Sequence, residues 1–352
     1  MKKSDTRDFP EGTLRIKAKH LEPVIKTKKG WKQTDYNTKN IQRIAHLYKS
    51  HANFNMLLDS KDKTFLKGFL TPKNEIRGER TGHLPDGQRL DKAFSIFSPH
   101  LTIHDETNNT HWDVMFQNPN GNYAHLYTLE KVKEGKTKKF KKVKDFEKKL
   151  PNLKKKLNNA IRKDDPMALP LYTLLKTKMR VGNKYSYNTL GHKGLTTLTK
   201  DNVKIKDNNV TFTFPGKDGV PQKITKKFPK SYIKLLSNKI KLLKVNEFIF
   251  TDKNGNPLRD TMFEDAFLKY CGTKFYPHIV RSAYATQAAE NFLKQNKKPQ
   301  KEEVKQLYST IAETLGHKKF SKKDNKWKVS YTVTISHYIQ PELVEKINAV
   351  VC

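Results

Sequence analysis

The sequence predicts an α+β chain in two parts. A β-rich N-terminal domain spans residues 1–138. A mainly helical domain with a small three-stranded sheet spans 139–352. Three observations carry this. Up to about residue 130, short extended runs alternate with turn-forming residues. From about residue 145, apolar residues recur at helical spacing. Between 203 and 228, three strand-like runs interrupt that helical pattern. The length, 352 residues, fits two domains, and 35% hydrophobic with 10% aromatic residues is enough for two cores.

In the first part, residues 41–49 read as a short helix. Residues 112–116 and 123–127 flank Asn118-Pro-Asn-Gly121, a strong turn signal, and so predict a hairpin. The lysine-dense stretch that follows, about 131–156, reads either as a solvated linker with a helix or as a strip that contacts phosphates. Leu150, Leu153, Leu157 and Ile161 then mark a helix, and Leu169, Leu171, Leu174 and Leu175 continue the pattern up to Arg180. Residues 203–206 and 210–214 read as strands joined by Asp207-Asn-Asn209, with a third near 223–228. Leu236, Ile240 and Leu243 share a helical face. So do Ala285, Ala288, Ala289 and Phe292, and so do Val304, Leu307, Ile311 and Leu315, with Gly316 as the C-terminal cap. A last helix, 341–351, opens on Pro341.

The net charge is +35, from 70 Lys and Arg against 35 Asp and Glu. Such an excess predicts a polyanionic partner, nucleic acid first; solubilising lysines in a Lys-rich proteome are the plainer alternative. No run of about 18 apolar residues is present, and the opening MKKSDTRDFPEG has no apolar signal core. The chain therefore reads as soluble and intracellular, without a membrane partner. Cys271 and Cys352 are its only cysteines, too few for a four-cysteine zinc site or a disulfide framework. It has no Gly-x4-Gly-Lys-Ser/Thr phosphate loop. Asp164-Asp165 and Glu302-Glu303 read as solvated charge rather than a two-metal cluster. No cofactor, nucleotide or metal is expected.

Arg180, Lys217, Arg281, His317 and Tyr338 stand out as a set. Tyrosine supplies a nucleophile. Cations neutralise charge that builds on phosphate oxygens in the transition state. Lysine can hand a proton to a leaving oxygen. Together these are the groups that metal-free attack on a DNA phosphodiester requires. Tyr338 lies just ahead of the helix opened by Pro341. Tyr331 falls in an alternating run, continued by Thr332-Val-Thr334, that predicts an extended, packed segment. Lys217 sits at the tip of the turn Phe214-Pro-Gly-Lys-Asp-Gly219; taken alone it would be an ordinary surface lysine. His337 and His192 read as incidental.

In order along the chain, Arg180-Val-Gly-Asn183 at a helix end, Gly194-Leu-Thr-Thr-Leu198, the Lys217 hairpin, Arg281 within His278-Ile-Val-Arg-Ser-Ala-Tyr-Ala285, Leu315-Gly-His317 and Tyr338-Ile-Gln-Pro341 resemble type IB DNA topoisomerases of the poxvirus, giant-virus, archaeal and bacterial branch. The resemblance covers about residues 110–352; residues 1–110 correspond by position to the family's DNA clamp. It implies the tyrosine recombinase/topoisomerase IB fold, with a clamp domain over 1–138 and a catalytic domain over 139–352. It implies a monomer clamping double-stranded DNA and relaxing supercoils through a 3′-phosphotyrosyl intermediate and religation, without ATP or an essential metal. Tyr338 would attack phosphorus, Arg180 and Arg281 would grip the non-bridging oxygens, His317 would donate to the same oxygens, and Lys217 would protonate the 5′ leaving oxygen.

Two features depart from that pattern. His278-x-x-Arg281 resembles tyrosine recombinases, which makes a site-specific recombinase or integrase the alternative and gives His278 a supporting role. The Lys217 hairpin and the Gly194–Leu198 segment favour the topoisomerase. Second, His317 and Tyr338 are 21 residues apart, wider than in compact members of the family, and the basic residues 318–328 read as an inserted loop touching DNA. A catalytically idle DNA-binding protein would be a third reading, against which the complete five-residue set argues.

Overall fold

A computed structural model describes residues 8–104 and 111–351; Cys352 and the first seven residues of the basic N-terminus lie outside them. The chain divides into two compact units, Met1–Lys138 and Lys139–Cys352.

The first unit is built on antiparallel sheets. Strands β1 (Leu14–Ile16), β2 (Pro23–Thr27) and β3 (Gly30–Gln33) precede helix α1 (Lys39–Ser50), and β4 (Phe69–Leu70) and β5 (Ile76–Arg77) complete a five-stranded sheet in the order β3-β2-β1-β4-β5. Strands β6 (Thr81–His83) and β7 (Arg89–Phe94) form a ribbon. Strands β8 (Thr102–Ile103), β9 (Val114–Gln117) and β10 (Tyr123–Leu126) form a third sheet. The β9–β10 turn is the one expected at Asn118–Gly121: Gly121 N–H donates to the Asn118 carbonyl, with Gly121 at φ 81°. Helix α1 buries Ile41, Ile44, Ala45 and Tyr48, one face at helical spacing, in a core with Leu14, Ile16, Leu66, Phe94 and Val114. Beside β1, the Arg15–Asp59 ion pair (2.8 Å) is fully buried, and the Arg15 guanidinium lies 4.0 Å from the Phe65 ring.

Helix α2 (Leu129–Arg162) runs unbroken through the lysine-dense stretch and through Pro151. The separate linker expected there does not exist. Phe140, Val143, Phe146, Leu153, Leu157 and Ile161 are buried along one stripe, and that apolar stripe outweighs both the charge run and the hydrogen bond missing at proline. Helices α3 (Ala168–Thr177) and α4 (Lys184–Leu190) follow. Strands β11 (Val203–Lys206), β12 (Asn209–Pro215) and β13 (Pro221–Lys227) form the three-stranded antiparallel sheet, then come α5 (Lys230–Lys241) and α6 (Asp260–Cys271). Phe212, Phe228, Tyr232, Phe263 and Phe267 fill the core between these elements.

Four further helices and a ribbon complete the unit: α7 (Ile279–Gln295), α8 (Lys301–Thr314), strands β14 (Lys318–Ser321) and β15 (Lys326–Val329), α9 (Thr332–His337) and α10 (Pro341–Val350). Two expectations fail here. The segment after Tyr331 is helix α9, not an extended run. Its β-branched residues favour strand locally, but Thr334 is fully buried in the helix and Ile335 packs against the α7–α8–α10 cluster, so tertiary burial decides. Residues 318–328 are not a loop but the β14–β15 ribbon.

Candidate active site

Arg180 is expected at a helix end but lies beyond one. Helix α3 stops at Thr177, and Lys178 caps it in the left-handed region at φ 57°, its N–H on the Leu174 carbonyl. The extended residues after it pair with the Gly194 turn: Leu195 N–H donates to the Arg180 carbonyl and Thr196 N–H to the Val181 carbonyl, both at 2.8 Å. Glycine is required where these segments cross. A Cβ on Gly194 would stand 2.6 Å from the Gly182 nitrogen, and Gly182 itself is at φ +90°. That close approach explains why Val-Gly-Asn and Gly-Leu-Thr-Thr-Leu occur together, and it holds the Arg180 backbone rigid.

His317 is set by the end of α8. Gly316 N–H donates to the Glu313 carbonyl and His317 N–H to the Ala312 carbonyl, with Gly316 at φ 70°; this is the two-bond Schellman cap. Lys217 is exposed in the turn at the tip of the β12–β13 hairpin, next to Asp218 at φ 60°. Gln222, on the same hairpin, donates to the Gly316 carbonyl (3.2 Å) and so ties the Lys217 hairpin to the His317 turn. Tyr338 ends α9 just ahead of α10. It is 6% exposed, with its ring 4.9 Å from that of His317 and 5.2 Å from the Arg281 guanidinium.

These side chains converge. Arg180 donates from Nη2 to the Tyr338 hydroxyl (3.1 Å) and from Nη1 to His278 Nε2 (2.8 Å). Arg281, 3% exposed, donates to the Lys178 and Leu315 carbonyls (2.5 and 2.9 Å) and to His317 Nε2 (3.0 Å). Its Nε–H is buried without a hydrogen-bond partner among the described residues. Arginine has donors only, so both histidines accept at Nε2 and carry their proton at Nδ1; His317 Nδ1 thereby donates to Thr334 Oγ1 (2.8 Å). Lys139 donates to the His337 carbonyl and its ammonium lies 5.5 Å from the Tyr338 ring. Arg180, Lys217, Arg281 and His317 line one cleft of about 490 Å³, with Lys178, Lys193, Lys318 and Lys319.

All five predicted residues thus share one site, and His278, the N-cap of α7, joins it by bonding to Arg180. Thr334, Gln222 and Lys139 were not singled out in the sequence. Thr334 stands four residues before Tyr338 on α9, a spacing that becomes informative only once the segment is read as helix.

Burial, then the neighbouring Arg180 and Arg281, pushes His278 down to about 3; burial, then Arg281 and Arg180, does the same to His317. Both imidazoles are therefore neutral in the free protein at neutral pH. An unfolded histidine titrates near 6.5, so between about pH 3 and 6.5 the unfolded chain binds more protons than the folded one. Their contribution to stability is complete above pH 6.5 and falls as pH drops through that window. Acidification from pH 7 to 4 should lower the thermal midpoint more steeply in the parent than in the H278N/H317N variant, as read by calorimetry. Parallel curves would refute the depressed values.

Residues 130–345 match the family model described as eukaryotic DNA topoisomerase I, catalytic core, and the chain belongs to that family. As expected from the sequence, the fold is α+β, with N-terminal antiparallel sheets and a mainly helical C-terminal part. Among solved structures, the chain is similar to the XerH site-specific recombinase bound to its difH substrate in a pre-cleavage complex, at 17% identity and TM-score 0.34, over 56% of this chain and 52% of that one. A post-cleavage complex of XerH with palindromic difH gives 15% identity and TM-score 0.34, over 56% and 51%. The chain spans about half the length of these recombinases. No curated protein matches it. No helix among the described residues is long and apolar enough to cross a membrane.

Proposed function

We propose that the protein is a type IB DNA topoisomerase that relaxes supercoiled duplex DNA as a monomer, without ATP or an essential metal. The observation that carries this reading is the hydrogen bond to the Tyr338 hydroxyl from Arg180, which itself shares one cleft with Arg281, His317 and Lys217. Tyr338 gives its hydroxyl proton to solvent water as Oη attacks the phosphorus, the P–O5′ bond breaks, and a 3′-phosphotyrosine forms. Lys217 gives its proton to the departing 5′ oxygen. The 5′ hydroxyl then attacks the phosphotyrosine to restore the strand. One phosphodiester replaces another throughout, so religation needs no external energy.

The cations divide the remaining work. Arg180 and Arg281 present planar donor forks to the non-bridging oxygens, and the unpartnered Arg281 Nε–H supports a phosphate oxygen as its missing acceptor. His317 must turn from acceptor to donor when phosphate takes its place beside Arg281. Thr334 permits this without added charge, because a hydroxyl can either accept from Nδ1 or donate to it. His278 holds the second arm of Arg180. His278→Ala should slow single-turnover cleavage about tenfold at unchanged thermal midpoint, whereas a loss below about threefold would reduce His278 to local packing.

The deciding experiment is incubation with negatively supercoiled plasmid in EDTA without ATP. Relaxation of plasmids of unrelated sequence is expected. Complete dependence on a divalent metal or on ATP would overturn the reading. Strand exchange confined to a particular target sequence would make the enzyme a recombinase, the alternative suggested by His278-x-x-Arg281.

A further inference from the structure

The ribbon β14–β15 stands between the two residues whose separation is unusually wide. Its ends are pinned: Ser330 N–H donates to the His317 carbonyl at 3.0 Å. Lys318 pairs with Val329 and Phe320 with Trp327, while Lys319 pairs with Lys328 and Ser321 with Lys326. Side chains alternate across a strand. One face therefore carries Phe320, Trp327 and Val329 with Lys318 at its base, and the other Lys319, Ser321, Lys326 and Lys328. The Phe320 and Trp327 rings meet edge to face at 5.5 Å, yet Phe320 is 41% and Val329 40% exposed. An isolated two-stranded ribbon is marginal in water, so an apolar face this open is suited to a partner.

Charge identifies the partner. Residues 318–329 hold six lysines and one acid, Asp324, and Asp324 is already engaged by Lys328 and Ser321, both at 2.5 Å. The base of the ribbon borders the cleft: Lys318 donates to the Pro221 carbonyl (3.0 Å), and Lys318 and Lys319 line the same cavity as Arg180, Lys217, Arg281 and His317. The tip carries Lys322, Lys323 and Lys326, all exposed.

We infer that this ribbon is a DNA-contacting arm: its lysines bind backbone phosphates of the duplex flanking the scissile phosphodiester, and its Phe320–Trp327 pair packs against the groove wall. This rests on the proposed function, since it takes the occupant of the cleft to be DNA. A two-stranded ribbon has the dimensions to enter a major groove, where an apolar side chain such as phenylalanine can contact a thymine methyl.

The test combines binding, footprinting and cleavage on the full chain with a linear duplex. For K322A/K323A/K326A, the slope of log affinity against log salt should be shallower than the parent's by about two to three, near 0.9 for each phosphate no longer neutralised. In the unsubstituted protein, Lys319, Lys322, Lys323 and Lys326 should be protected from amine acetylation when duplex is added, a reading that does not depend on how a variant folds. An unchanged slope together with unprotected lysines overturns the arm. So does concentration-dependent self-association without DNA that Trp327→Ala abolishes, because the apolar face would then bind a second copy. Covalent adduct formation by the parent separates the two readings. Adduct without protection refutes the arm alone, whereas protection without adduct or relaxation refutes the topoisomerase and leaves DNA binding by the ribbon standing.

Discussion

Tyr338→Phe is expected to abolish covalent attachment to DNA, lowering the cleavage rate by at least about four orders of magnitude, while duplex affinity stays within a few-fold. The substitution removes one oxygen. The ring stays buried with Ala285, Ala289, Ile339 and Ile347, and the backbone N–H keeps its bond to the Thr334 carbonyl. Arg180 loses one acceptor but keeps His278, so the pocket for phosphate survives without its nucleophile. Tyr331 is the control. It precedes α9 and its ring lies 6.0 Å from that of Tyr308, whereas it is the Tyr338 hydroxyl that accepts from Arg180. Tyr331→Phe should leave cleavage within a few-fold of the parent. Peptide mapping of the trapped adduct checks both: a phosphotyrosyl nucleotide on any tyrosine other than Tyr338 would refute the assignment.

The parts of this site that were legible in the sequence are those fixed by local backbone chemistry. Gly316 announces the end of α8 because a positive φ is needed there, and His317 follows as a matter of register. Pro215, Gly216 and Gly219 mark the β12–β13 turn, and so locate Lys217. Pro341 opens α10 and places Tyr338 just before it. What the sequence concealed depends on contacts between distant segments. Arg180 reads as helical because the leucine pattern runs up to it, yet the left-handed Lys178 and the Gly182–Gly194 crossing pull it out of α3. Thr332-Val-Thr-Ile335 alternates like a strand, and only the cluster contributed by α7, α8 and α10 makes it a helix. The ribbon at 318–329 has no Gly or Pro to mark its turn. Asn325 at φ 48° takes that part, and it was hidden in a lysine-rich run that looked like a loop.

Replacing Lys217 by alanine is expected to slow cleavage by roughly two to four orders of magnitude, and the size of the defect should depend on the leaving group. The lysine is placed for that task by the hairpin rather than by its own contacts. Gly216 N–H closes on the Val220 carbonyl, and the Gln222 bond to Gly316 fixes the hairpin against the turn that carries His317. The ammonium itself is exposed on a flexible four-carbon stem, so it can follow a leaving oxygen into the cleft and give up a proton, which a guanidinium does not do at neutral pH. An alkoxide leaves poorly without protonation. A thiolate, whose conjugate acid ionises near 8.5, leaves without help. A duplex carrying a 5′-bridging sulfur at the cleavage site should therefore restore most of the rate to Lys217→Ala. Lys217→Arg, which keeps the charge but not an easily transferred proton, should be nearly as slow as Lys217→Ala on the oxygen substrate and recover equally on sulfur. Single-turnover cleavage of the two substrates by the three proteins decides the matter: equal defects on oxygen and sulfur would make Lys217 a phosphate contact and leave the proton donor to be sought among the other cations of the cleft.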